Sequence, residues 1–160
     1  MNLQILILNA YCDYDNNPSN SDIYGRLYNW YVASYTNLKN VCPEGWHVPS
    51  DAEWTILIDY TGDSHIAGGK LKETGITHWG SPWGGYNIGA TNETGFTALP
   101  GGRRWGDGTF FFFGLSGYWW ASPDVGCCIA WATGIYCEYA IISADYYPRT
   151  EGFSIRCLKD

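Results

Sequence analysis

Hydrophobic and polar positions change rhythm twice along this chain. The sharpest local pattern is Val48-Pro49-Ser50-Asp51-Ala52-Glu53-Trp54. Ser50 can accept the backbone N–H of Glu53 while the Glu53 carboxylate reaches back to the N–H of Ser50, a reciprocal cap for a helix start. Asp51 adds negative charge where the helix dipole favours it. Trp54, Leu57 and Ile58 then make one apolar face and Gly62 supplies a stop, so the spacing predicts an amphipathic helix over 51–61. Upstream, 13–22 is polar and turn-rich and reads as a loop. Leu27, Trp30, Tyr31 and Ser34 follow at helical spacing, predicting a short first helix from about Tyr24. The apolar run at 3–8 has neither a basic flank nor a small-residue cleavage site, and reads as an edge strand.

From Gly68 to Gly117 periodicity is lost among Gly, Asn, Thr, Pro and isolated aromatics, which predicts long ordered loops. Beyond Gly117, runs of β-branched and aromatic residues return at 118–121, 129–135, 139–143 and 153–158, and these read as antiparallel strands. Short helices early, loops in the middle and a small sheet late give an α+β architecture.

Composition narrows the function classes. A chain of 160 residues suits one domain, 1–160, with one core and no obligatory staple. Its 9 Trp and 13 Tyr exceed ordinary usage, and such side chains suit both loop-rich cores and binding surfaces. A formal charge of −7 with scattered basic residues argues against nucleic acid and against an anionic membrane surface. No apolar run approaches the roughly 20 residues of a membrane span, so membrane insertion is not expected.

The residue types that carry chemistry are present but not arranged for it. The six Cys, at 12, 42, 127, 128, 137 and 157, lack the paired two-residue spacing of a zinc site, and no metal or other cofactor is expected. Cys42 and Cys157 flank the bulk of the chain and form the one candidate disulfide, the alternative being two buried thiols. His47, His65 and His78 have no ligand spacing, and His47 beside Trp46 fits a packed, hydrogen-bonded core histidine better than a catalytic base. Asp51 and Glu53 are explained by capping, and Arg103-Arg104 by a loop salt bridge. No catalytic residue is assigned, and an enzyme is not expected.

Several long motifs carry a resemblance. Gly25-Arg-Leu-Tyr-Asn-Trp-Tyr31, Cys42-Pro-Glu-Gly-Trp-His-Val-Pro-Ser-Asp-Ala-Glu-Trp54, Gly68-Gly-Lys-Leu-Lys-Glu-Thr74, Thr91-Asn-Glu-Thr-Gly-Phe-Thr-Ala-Leu-Pro-Gly-Gly102, Gly117-Tyr-Trp-Trp120 and Gly152-Phe-Ser-Ile-Arg-Cys157 occur in order over almost the whole chain. Together they resemble the Fibrobacter succinogenes major paralogous domain, a bacterial extracellular module similar to C-type-lectin-like domains and to the formylglycine-generating-enzyme fold. The resemblance implies two helices flanking a compact antiparallel sheet with long ordered loops, and it supports the Cys42–Cys157 pairing. Ser21 stands where many relatives have Cys, which leaves Cys12 without a local partner. No stretch matches the catalytic segment of the formylglycine-generating enzymes. The Glu-Pro-Asn and Trp-Asn-Asp motifs of calcium-dependent sugar binding do not occur either.

The departure from that family lies at 122–150. Relatives are rich in Asn, Tyr and Ser there, whereas this chain carries Cys, Ala, Ile and Gly between intact flanks. Diversity-generating retroelements randomise template adenines, turning Asn codons into any codon ending in a pyrimidine. Such codons never encode Trp, Met, Gln, Lys or Glu, and only Trp131 and Glu138 of 122–150 fall in that set. Variable proteins of these elements resemble the C-type lectin fold and carry the variable segment C-terminally. Strand alternation then places Trp131 and Ile135 inward and Ala130, Ala132 and Gly134 outward. Tyr136, Cys137, Tyr139, Ala144, Asp145 and Tyr146 extend the outward patch, and Asp124, Val125, Gly126, Cys127 and Cys128 open the segment. The four Phe at 110–113 cannot all face one core and join this surface.

The expected function is a ligand-binding display domain at a cell surface or virion, diversified for receptor or host-surface recognition. Its partner would be a protein or other surface ligand. The alternative is a structural or adhesive surface module without diversification.

Overall fold

A computed structural model of the chain describes residues 10–34, 41–80, 85–122, 126 and 128–160; the run at 3–8 lies outside them. Asn17 accepts the N–H of Ser19 at 3.2 Å and Pro18 occupies the first helical position, where its missing N–H costs nothing. Helix α1, Pro18–Tyr24, therefore occupies part of the expected loop and stops at Gly25, whose φ of 76° leaves the helical region. The helix expected from Tyr24 is replaced by strand β2, Leu27–Tyr28, and a single turn, α2, Trp30–Ala33. Leu27 and Trp30 are both buried, but through a strand and a separate turn, so their spacing mimicked a helix. Strand β1, Tyr11–Cys12, pairs antiparallel with β2.

Helix α3, Asp51–Thr61, carries both halves of the capping box, with Ser50 N–H on Glu53 Oε2 at 2.8 Å and Glu53 N–H on Ser50 Oγ at 3.2 Å, and ends at Gly62. Asp63 caps α4, Ser64–Leu71, a helix inside the stretch expected as loop. Strand β3, Trp46–His47, lies before α3, and β4, Arg103–Arg104, pairs antiparallel with β5, Phe110–Phe111.

The central sheet is antiparallel, in the order β6 (Ser116–Trp120), β7 (Ile129–Tyr136), β8 (Ile142–Pro148). The strand expected at 139–143 begins only at Ile142, after a turn. The one expected at 153–158 contracts to β9, Leu158–Lys159, with single bridges from Phe153 to Tyr28 and from Ser154 to Trp119. Strand β9 pairs with β3, and one residue before it Cys157 is bonded to Cys42, so the predicted disulfide is formed.

Both faces of the sheet are covered. Trp119, Ile135 and Ile142 pack with Trp54, Ala67, Leu71 and Trp79 on the helix side. Tyr118, Trp120, Ala130 and Ala132 pack with Trp30, Val48 and Phe153 on the other. A few helices and several small antiparallel sheets make an α+β fold. Among the described residues no helix is long and apolar enough to cross a membrane.

Candidate functional site

The compositional break at 122–150 coincides with the β7–β8 hairpin, whose turn is held by residues of α4 and its C-cap and whose open end is held by Arg149, itself within the segment. Lys72, fully buried at the end of α4, donates from Nζ to the carbonyls of Ile88 (2.8 Å), Tyr136 (2.9 Å) and Tyr139 (3.0 Å). Burial pulls its pKa from 10.5 to about 8, and the three carbonyl dipoles are what answer its charge. The N–H of Gly69 donates to the carbonyl of Ala140 at 2.9 Å. A Cβ on Gly68 would stand 2.6 Å from the carbonyl carbon of Ile141, so α4 approaches the turn this closely only because its residue there has no side chain. At the hairpin's open end, Arg149 donates to the carbonyls of Ile129 and Gly126, and its guanidinium lies 4.0 Å over the Trp30 ring.

Within that frame the outward placement of several candidate residues is corrected. Ala130, Ala132 and Gly134 are buried, as is Cys137 at 2% exposure. The reason is topological: β7 is the central strand, so both of its alternating sets meet a packed layer. The space around the small residues is filled. A Cβ on Gly134 would meet the Tyr136 hydroxyl at 2.8 Å and Ser143 Oγ at 3.0 Å. Ile135 is inward as expected, and Trp131 is half-buried against Tyr146 with ring centroids 5.0 Å apart.

Freedom to vary belongs instead to β8, the edge strand, and to the hairpin's ends. Tyr139 (54% exposed), Tyr146 (50%) and Ile129 (45%) stand in solvent with Ala144, Asp145, Gly126 and Cys128. Tyr136 is half-buried, its hydroxyl 2.7 Å from Ser143 Oγ. Asp145 accepts the N–H of Tyr146 at 2.7 Å, which occupies a donor on a strand edge otherwise open to pairing. Asp124, Val125 and Cys127 lie outside the described residues.

Beside the hairpin is a cluster that the sequence did not single out. The Arg103 guanidinium sits over Trp105 (5.4 Å), Phe112 (5.2 Å), Tyr118 (5.2 Å) and Tyr147 (5.9 Å). Arg103 also faces Glu151 at 3.6 Å, so the expected salt bridge exists, on strand β4 rather than in a loop. Burial raises the Glu151 carboxyl and the Arg103 charge opposes that rise. Burial raises the phenols of Tyr147 and Tyr118, with Tyr136 adding to both. Of the phenylalanine run only Phe112 is exposed, at 41%, while Phe110 and Phe113 pack on Tyr14. The alternation of Arg103 and Trp105 was the signal available in the sequence, but it needs β5 and β8 alongside to mean anything.

The remaining candidates are structural. His47 is not a core histidine: its ring is held in the open between Asp160 (2.6 Å) and Glu53 (2.9 Å), which raise its pKa in that order. Cys12 and Cys137 are free thiols whose pKa values burial raises, away from nucleophilic use. Among the described residues no group of His, Cys, Asp and Glu is placed to hold a metal ion.

Neither a curated protein nor a solved structure matches the chain. A family model does: that of the Fibrobacter succinogenes major domain matches residues 5–159, and the chain belongs to that family.

Proposed function

We propose that this is a C-type-lectin-like display domain whose β7–β8 hairpin, diversified by a retroelement, binds a protein or other surface ligand at a cell or virion surface, without chemistry. The observation that carries the reading is the division of labour in the hairpin. Its turn is fixed from outside the segment by Lys72 and Gly69 through backbone carbonyls, which any side chain supplies, and its open end by the Arg149 side chain, which must therefore be a fixed position within 122–150. Its exposed positions Ile129, Tyr139, Ala144, Asp145 and Tyr146 contribute little to the core. Large amphipathic side chains on a rigid support give contact area at low entropy cost. The tie of Cys42 to the last strand region is in keeping with a lectin-like arrangement.

Sequencing the DNA downstream of the gene tests this. A reverse-transcriptase gene with a near-copy of the 122–150 coding region, differing opposite adenines, is the expected result. Substitutions should then fall at exposed codons such as 139 and 144–146 and spare 130, 132, 134 and 137. A plain downstream region would overturn diversification. One observation favours the alternative, an adhesive or structural surface module: buried Ala130, Ala132, Gly134 and Cys137 tolerate little randomisation. Substitutions scattered over those codons as freely as over 144–146 would contradict both readings of the hairpin.

A further inference from the structure

Far along the chain from the hairpin, helix α3 presents a second face. Glu53, Ile56, Leu57 and Tyr60 recur at the spacing of one helical stripe, and Ile56 (68%) and Tyr60 (80%) are exposed. With Pro49, Trp54, Phe96, Arg156, Cys157 and Leu158 they line an open cavity of about 560 Å³, within the range that holds small ligands. Its wall is almost wholly apolar. The α3 amides are consumed in the helix, so that side of the wall offers nothing to the backbone of an extended peptide. Two charges stand at its rim. Glu53 is engaged by His47 and by Ser50. Arg156 spends one bond on the Phe96 carbonyl at 2.9 Å, stacks over the Phe96 ring at 4.6 Å, and has no carboxylate partner among the described residues. An apolar trough with a guanidinium on its rim that has no carboxylate partner among the described residues matches a ligand of the same polarity: a long apolar body with one anionic end.

We infer that this groove binds a linear aliphatic monocarboxylate, with the chain against Ile56, Leu57, Tyr60 and Leu158 and the carboxylate on Arg156. This site is separate from the hairpin and does not rest on the reading given for it. Burial of each added methylene in such a groove strengthens binding about fourfold. Saturable binding of octanoate, decanoate and dodecanoate by the full chain, followed by calorimetry, is therefore expected to tighten by roughly that factor per methylene until the groove is full, and then to level off. Arg156→Gln should weaken decanoate about tenfold or more and leave decanol unchanged. Ile56→Asp, at an exposed position that folding does not need, should abolish both, while Tyr146→Ala on the hairpin should change neither. Near-ultraviolet circular dichroism confirms that each variant is folded. Absence of saturable decanoate binding overturns the inference, as does equal weakening of decanoate and decanol by Arg156→Gln. A protein that sediments as a dimer and becomes monomeric on Ile56→Asp, without binding decanoate, assigns the groove to a second copy instead.

Discussion

Lys72 shows how one residue can be both a cost and a fastener. A buried ammonium without a carboxylate is unfavourable, yet removing it takes one donor from each of three carbonyls. Lys72→Met is expected to lower the unfolding free energy by about 1–3 kcal/mol, read from denaturant curves. The pH dependence has a definite sign. With a folded pKa of about 8 against 10.5 in the free side chain, the unfolded state holds more protons between those values, so this residue's contribution to stability rises with pH across that window. The Tyr118 and Tyr147 phenols and the Cys137 thiol, all raised by burial, act in the opposite sense at alkaline pH. The test is thus the difference between wild type and Lys72→Met, which should widen between pH 8 and 10.5. His47 behaves the other way round. Its pKa is raised by Asp160 and Glu53, so its contribution is complete below 6.5 and disappears as pH climbs through the folded value. A proton NMR titration of the His47 ring should give a midpoint above 6.5 that moves back toward it in Asp160→Asn.

At the scale of elements, legibility followed the range of the interaction that defines each one. Helix α3 is declared by Ser50, Glu53 and Gly62, all within one stretch, and its boundaries follow from them. The disulfide is a candidate because Cys42 and Cys157 flank the bulk of the chain, and the family resemblance supports the pairing. Helix α4 was invisible because Gly68 and Gly69 weaken helix propensity, and their purpose, close approach to Ala140 and Ile141, exists only once β7 and β8 are in place. The same holds for the faces of β7: alternation is real, but a central strand covered on both sides has no outward set, and nothing local in 129–136 announces that. Gly68→Ala should therefore be severe even though alanine favours helices. A loss of about 3 kcal/mol or more, or failure to fold, is expected, because the clash is with backbone and cannot be relieved by a rotamer change. Tyr139→Ser and Tyr146→Ser together should leave the thermal midpoint within a few degrees of wild type, separating a display surface from a core in one pair of melts.

At the scale of the whole molecule, the C-terminal residues are tied back to an internal segment. Strands β3 and β9, the His47–Asp160 pair and the Cys42–Cys157 bond all join the segment before α3 to the C-terminus. Their contributions differ in kind. The β3–β9 ladder is two residues long and the His47 pair is half-exposed, so neither outlasts local fraying by much. The disulfide spans a sequence separation of 115, and closing a loop of about that length removes entropy worth roughly 4–5 kcal/mol from the unfolded chain. If the bond acts mainly through the unfolded state, Cys42→Ser with Cys157→Ser should cost about 2–5 kcal/mol of global stability. Protection from hydrogen exchange would then fall at the β6–β8 amides, which exchange through global unfolding, and change little at β9, where local fraying already governs exchange. If it acts instead as a local clasp, exchange will accelerate at Trp46, His47, Leu158 and Lys159 alone while the β7 amides keep their protection. The first pattern is expected, since Cys42 is part of the buried cluster of Trp30, Trp120 and Phe153 and the loop that the bond closes is long. The second would mean that this core is stable on its own and that the C-terminal residues, Leu158 of the α3 groove among them, are an independently melting flap.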